Sequence, residues 1–144
     1  MTLNPENKCA QLWSKETPEL KAGEQTLAKI FEMQRSLQLR LGQDFSAMSL
    51  EQRTQLIKDN YTYMITEMTE LIENLPFKHW KKYSEDQRKD FTSEEHKLET
   101  WYEWCDVLHF FVNVGLLLGI DGETAWKLYA SKNAENWARQ DRGY

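Results

Sequence analysis

Hydrophobic positions recur along this chain at helical spacing and mark out four long segments. Leu20, Leu27, Ile30, Phe31, Met33, Leu37 and Leu41 form one apolar stripe, which predicts a helix from near Pro18 to about Gly42. Ile57, Tyr61, Met64, Ile65, Met68, Leu71, Ile72 and Leu75 form a second, over about Leu50 to Asn74. Ser49 with Gln52 three residues on is a capping-box pattern that opens this helix, and Pro76 closes it. The third segment, Glu99 to Leu118, has no single stripe: its Trp, Tyr, Val, Leu and Phe side chains surround the axis, as in a helix covered on most sides by others. It stops near Gly119. Asp121 reads as the N-cap of a last helix, Gly122 to about Ala138, with Trp126, Leu128 and Tyr129 turned inward. Residues 1–17 are weakly patterned, and the polar, aromatic connection over 76–95 has room for one short helix between Ser84 and Phe91. Long helices with short links predict an all-α antiparallel bundle of four to five helices, and 144 residues suit a single domain, 1–144.

Composition supports that picture. Three Pro and six Gly fit long helices, and no alternating Val/Ile/Thr-rich segment suggests a sheet. The net charge is −5 and no basic stripe is interleaved with aromatics, which argues against polymeric nucleic acid as a partner. No uncharged apolar run reaches membrane-spanning length, and the N-terminus lacks the pattern of a signal peptide, so no membrane and an intracellular location are expected. Cys9 and Cys105 alone do not make a disulfide framework.

Charge changes the reading of the third segment. Glu99, Glu103, Asp106 and Asn113 are spaced four, three and seven, so they share one face of an otherwise apolar helix. Unpaired carboxylates taken out of water cost several kcal/mol each, and a cation is the simplest offset. The second helix carries Glu67 and Glu70 at i, i+3, where Cβ atoms lie roughly 5–6 Å apart. Either pair alone is unremarkable surface chemistry. Together, two acidic pairs from facing helices can surround a hard cation, and oxygen ligands with room for a substrate phosphate suit Mg²⁺. His79, His96 and His109 are too scattered for zinc.

Near the C-terminus, Lys132, Asn136 and Arg139 share a cationic face, a partner for phosphates or a simple complement to the helix dipole. Gln34 and Gln38, four apart, are either exposed amides or readers of a base edge. His109 is open between a core histidine and a substrate contact.

The blocks TEMTEL (Thr66–Leu71), PFKHWKK (Pro76–Lys82), EWCDVLHFF (Glu103–Phe111) and KNAENWARQDRGY (Lys132–Tyr144) together resemble the dimeric dUTPases, of the all-α nucleotide pyrophosphatase superfamily that also holds the MazG proteins. EMQRSLQLRL with that C-terminal block is similar, within the superfamily, to the dCTP/dUTP pyrophosphatases of T-even-like bacteriophages. The resemblance implies Mg²⁺ held by Glu67, Glu70, Glu103 and Asp106, with Glu70 orienting the attacking water and Glu67 beside it as the second catalytic carboxylate. It implies phosphates on Lys132, Asn136, Arg139 and Tyr144, helped by Lys78 or Lys81. The base would face Gln34 and Gln38 and stack on Phe110 or Trp80, and the sugar would meet Asn113. It further implies a deoxypyrimidine nucleotide substrate, a homodimer and, for a phage protein, the cytoplasm of the infected cell.

Two features depart from the dimeric dUTPases: Gln38 stands where those carry Asn after Gln-x-x-Leu, and the gap from Asp106 to Lys132 is short. A carboxamide carries both donor and acceptor and can match either cytosine or uracil, so dCTP and dUTP are both expected substrates. The competing readings are a dUTP-only dimeric dUTPase, a MazG-type house-cleaning pyrophosphatase, and a helical dimerisation or adaptor protein that uses its acids structurally.

Overall fold

The computed structural model describes residues 6–14, 21–84, 91–94 and 96–143. These hold five α-helices and no strand: α1 (Lys8–Trp13), α2 (Thr26–Arg40), α3 (Leu50–Glu73), α4 (Lys97–Leu117) and α5 (Gly122–Asp141), with a 3₁₀ turn at Phe45–Ala47. The all-α expectation holds. No single helix among the described residues is long and apolar enough to cross a membrane.

The ends of the elements follow from local chemistry. The capping box forms as expected: the Ser49 amide donates to Gln52 Oε1 (2.9 Å) and the Gln52 amide to Ser49 Oγ (3.2 Å). Asp121 caps α5 by accepting from the Thr124 amide at 2.8 Å. The first long helix begins later than its apolar stripe suggests, at Thr26. Gly23 sits at φ +87° in a turn closed by the Glu24 amide on the Lys21 carbonyl, a conformation that a helix cannot contain. Pro18, most of the expected short helix from Ser84 to Phe91, and Tyr144 lie outside the described residues. The weakly patterned N-terminal segment contains α1, capped by Asn7, whose side chain accepts from the amides of Cys9 and Ala10.

The chain divides into two compact units, Met1–Pro18 with Lys58–Phe111, and Glu19–Ile57 with Val112–Tyr144. In the first, α1, the body of α3 and most of α4 bury Ala10, Leu98 and Thr100. Trp13 meets Trp101 with ring centroids 6.3 Å apart, and Tyr63 meets Phe110 at 5.3 Å. In the second, Phe31, Phe45, Val112 and Leu117 form the core. There α2 and α5 approach closely, because Gly122 offers no side chain: a Cβ at that position would stand 2.3 Å from Ala28 Cα. Gly115 likewise leaves room for the Phe31 ring.

Two expectations about burial are corrected. Trp101, Trp104 and Phe111 on α4 are 44%, 60% and 62% exposed, so one side of this helix is open within the chain while its other apolar residues are buried or half-buried. Trp126, Leu128 and Tyr129 on α5 are also exposed rather than inward. On α4 the open apolar residues are confined to one side, whereas α5 makes its close contact through Gly122 and leaves Trp126, Leu128, Tyr129 and Trp137 exposed.

Candidate active site

The acidic stripes of α3 and α4 meet within the first unit. One carboxylate oxygen from each of Glu67, Glu70 and Glu103 lies within 4.8 Å of the others. The i, i+3 spacing puts Glu67 and Glu70 on one face of α3, and α4 brings Glu103 against them. Burial pushes the Glu67 carboxyl above its ordinary value, and the neighbouring charges of Glu70 and Asp106 push it further. Glu103 is raised by burial first, then by Glu70, Asp106 and Glu67, while a hydrogen bond from Asn74 opposes the shift. Both anions are therefore held at a cost that a cation would relieve. The donor set is all oxygen, the preference of hard ions, so the residues present fit a divalent cation of that kind.

Asp106 stands outside that oxygen triad but is near enough for its charge to act on Glu67 and Glu103. Its Oδ1 is 4.0 Å from His109 Nδ1, too far for a hydrogen bond. That nitrogen instead donates to the Cys105 carbonyl at 2.8 Å. His109 is exposed, which removes the reading of it as a core histidine. Asn74 went unnoticed in the sequence, although the signal was there: it follows Glu67 by seven and Glu70 by four, on the same helical row.

Other expected site residues are placed as follows. Lys78 and Lys81 line a cavity of ≈ 430 Å³ with His79, Lys82 and Tyr83, and Trp80 beside them is exposed. Phe110 packs on Tyr63. In the second unit, Lys132 and Asn136 are exposed on α5, and Arg139 donates through Nε to Glu135 Oε1 at 3.2 Å. Arg142 reaches the same oxygen at 2.7 Å, so one carboxylate gathers two guanidinium groups, a contact not anticipated from the sequence. Gln38 lines a cavity of ≈ 270 Å³ with Phe45, Arg53 and Ile120. Gln34 and Asn113, expected at base and sugar, are 6% and 5% exposed, and Gln34 Nε2 donates to Asn113 Oδ1 at 2.8 Å.

The helical fold is of the all-α nucleotide pyrophosphatase type, as the match to a family model shows. A dUTPase family model matches residues 26–125, and the chain belongs to that family. It is 38% identical over 141 residues to a dCTP pyrophosphatase of Enterobacteria phage LZ5, with 82% of each chain covered. It is 33% identical over 141 residues to a dCTP pyrophosphatase of Enterobacteria phage T4, again with 82% of each covered. A DNA replication protein of phage T4 is 31% identical over 130 residues, spanning 74% of this chain and 33% of that protein. No solved structure matches.

Proposed function

We propose that this chain hydrolyses dCTP to dCMP and pyrophosphate: water attacks the α-phosphorus and the α–β anhydride bond breaks. The observation that carries the reading is the convergence of Glu67, Glu70 and Glu103, in a chain similar over 82% of its length to proteins named dCTP pyrophosphatase. Glu67, Glu70 and Glu103, with Asp106 beside them, would hold the divalent cation, Mg²⁺ in this reading, and Asn74 steadies the Glu103 carboxylate. When bound, the ion supplies Lewis-acid stabilisation of charge on the phosphoryl oxygens. Glu70, the most open of the three clustered acids, orients the attacking water and takes its proton, with Glu67 beside it. Lys132, Asn136, Arg139 and Tyr144 bind phosphate oxygens, with Lys78 and Lys81 as further cations. Gln34 and Gln38 read the base, and Trp80 or Phe110 stacks on it.

We further infer that dUTP is a second substrate, since Gln38 can turn either its donor or its acceptor to a pyrimidine edge. The exposed Trp101, Trp104 and Phe111 support a homodimer, and the phage relatives support action in the cytoplasm of an infected cell. A panel of dCTP, dUTP, dTTP and CTP tests the reading through kcat/KM for pyrophosphate release. Magnesium-dependent turnover of dCTP is expected, with dUTP second. Turnover of dUTP alone, or broad turnover of every nucleotide, would replace it with the dUTP-only or the MazG-type reading.

A further inference from the structure

Within the second unit, a cavity of ≈ 270 Å³ is walled by α2, the 3₁₀ turn, the start of α3 and the link from α4 to α5. Two arginines line it, Arg35 from α2 and Arg53 from α3. Among the described residues, neither side chain donates a hydrogen bond or stands in an ion pair. Arg53 Nε is also buried, so bulk water does not replace the missing acceptor. A buried donor without a partner is rare in folded proteins, and one on a permanent cation is the more costly kind.

Two carboxylates share the wall, and both are engaged elsewhere. Asp44 accepts from the Ser46 amide at 3.0 Å and from its hydroxyl at 2.6 Å. Those bonds chiefly hold the Asp44 carboxyl below its ordinary value, and Arg35 adds only a lesser pull through space. Asp121 accepts from the Thr124 amide at the head of α5. The two acids lower the local charge but give the guanidinium groups no acceptor.

We propose that this cavity is an oxyanion site whose ligand carries a phosphoryl group. A guanidinium presents planar forks of N–H donors that match pairs of phosphate oxygens, and two such groups can share one tetrahedral anion. Arg53 turns its Nε–H edge to the occupant, which supplies the acceptor that the protein withholds. Gln38, in the same wall, adds a carboxamide donor. The rest of the lining includes Phe45, Leu116 and Ile120, an apolar surface for the organic body of a phosphate monoester. The volume equals that of about nine water molecules at roughly 30 Å³ each, more than a bare phosphate needs. Unlike the cluster of Glu67, Glu70 and Glu103, this site needs no divalent ion, and it does not depend on the pyrophosphatase reading.

The test is titration calorimetry on the metal-free protein, in EDTA and at fixed ionic strength, with inorganic phosphate, with dCMP and with sodium chloride. The wild type is compared with Arg53→Met and Arg35→Met, which keep a long apolar stem and remove the fork. Phosphate and dCMP should bind the wild type, and each variant should weaken both by about tenfold or more, the order of a lost hydrogen bond to a charged group. Tighter binding of dCMP than of phosphate assigns the site to a nucleotide, and equal affinities assign it to the free anion. Arg35 is exposed, so its variant serves where Arg53→Met does not fold. Absence of binding by both ligands in the wild type would overturn the inference. So would undiminished affinity in either folded variant, or an equal response to chloride.

Discussion

Exchanging Glu103 for Gln should stabilise the metal-free protein and remove most of its response to Mg²⁺. Oxygens of Glu67, Glu70 and Glu103 lie within 4.8 Å of one another, giving three repulsive pairs. At that separation two unit charges repel by about 1 kcal/mol in a water-like dielectric and by about 3 kcal/mol at an effective dielectric constant of 20. Glu70 is exposed, so the lower figure governs. Glu103→Gln removes two of the three pairs, about 2 kcal/mol. It keeps an oxygen to accept the hydrogen bond from Asn74. For a chain of this size that corresponds to a rise in Tm of about 4–8 °C. Mg²⁺ at a hundred times its Kd adds about 2.7 kcal/mol to a protein that binds it only when folded. The wild type should gain that increment and the variant much less of it. Melting curves by circular dichroism at pH 8, in EDTA and across a Mg²⁺ titration, read both effects. A variant less stable than wild type in EDTA, together with equal gains in Mg²⁺, would show that the carboxylates are not a strained cation cup.

The same raised pKa values give a pH dependence. Glu67 and Glu103 titrate higher in the folded protein than their ordinary 4.5, so the folded state binds more protons. Metal-free stability from these groups is therefore highest below the ordinary value and lost as pH rises through the raised ones, whereas Mg²⁺ affinity rises over the same window. Melting temperature and Mg²⁺ titrations between pH 4 and 8 check both directions, at values spanning roughly the carboxylate range. Gly122→Ala should destabilise by about 1–3 kcal/mol or more, because the new Cβ meets the Ala28 backbone and neither helix can yield without losing packing; denaturant unfolding reads it. Glu70→Gln should leave the fold unchanged by circular dichroism and lower kcat by about a hundredfold or more, the usual span for a lost general base.

Where the chain folds was legible from periodicity, and where its surfaces stay open was not. The spacing of Glu67 to Glu70 and of Glu103 to Asp106 put acids on defined helical faces, and α3 and α4 do bring three of those residues together. Asp106 shares the face with Glu103 but lies outside the oxygen triad. In sequence, the apolar girdle of α4 reads as coverage by other helices. Hydrophobicity states only that burial is favourable, not whether the same chain or a second one provides it, and Trp104 and Phe111 are open in the single chain. The Gln34–Asn113 bond was hidden for a different reason. Each residue sits in an unexceptional local context, and only tertiary packing sets two polar side chains 79 positions apart within 2.8 Å.

The most direct test of the proposed chemistry is to hydrolyse dCTP with Mg²⁺ in water enriched in oxygen-18 and to follow both products by phosphorus NMR. Attack at the α-phosphorus predicts the label in dCMP and none in pyrophosphate. Label in pyrophosphate, or release of dCDP and inorganic phosphate, would contradict the account.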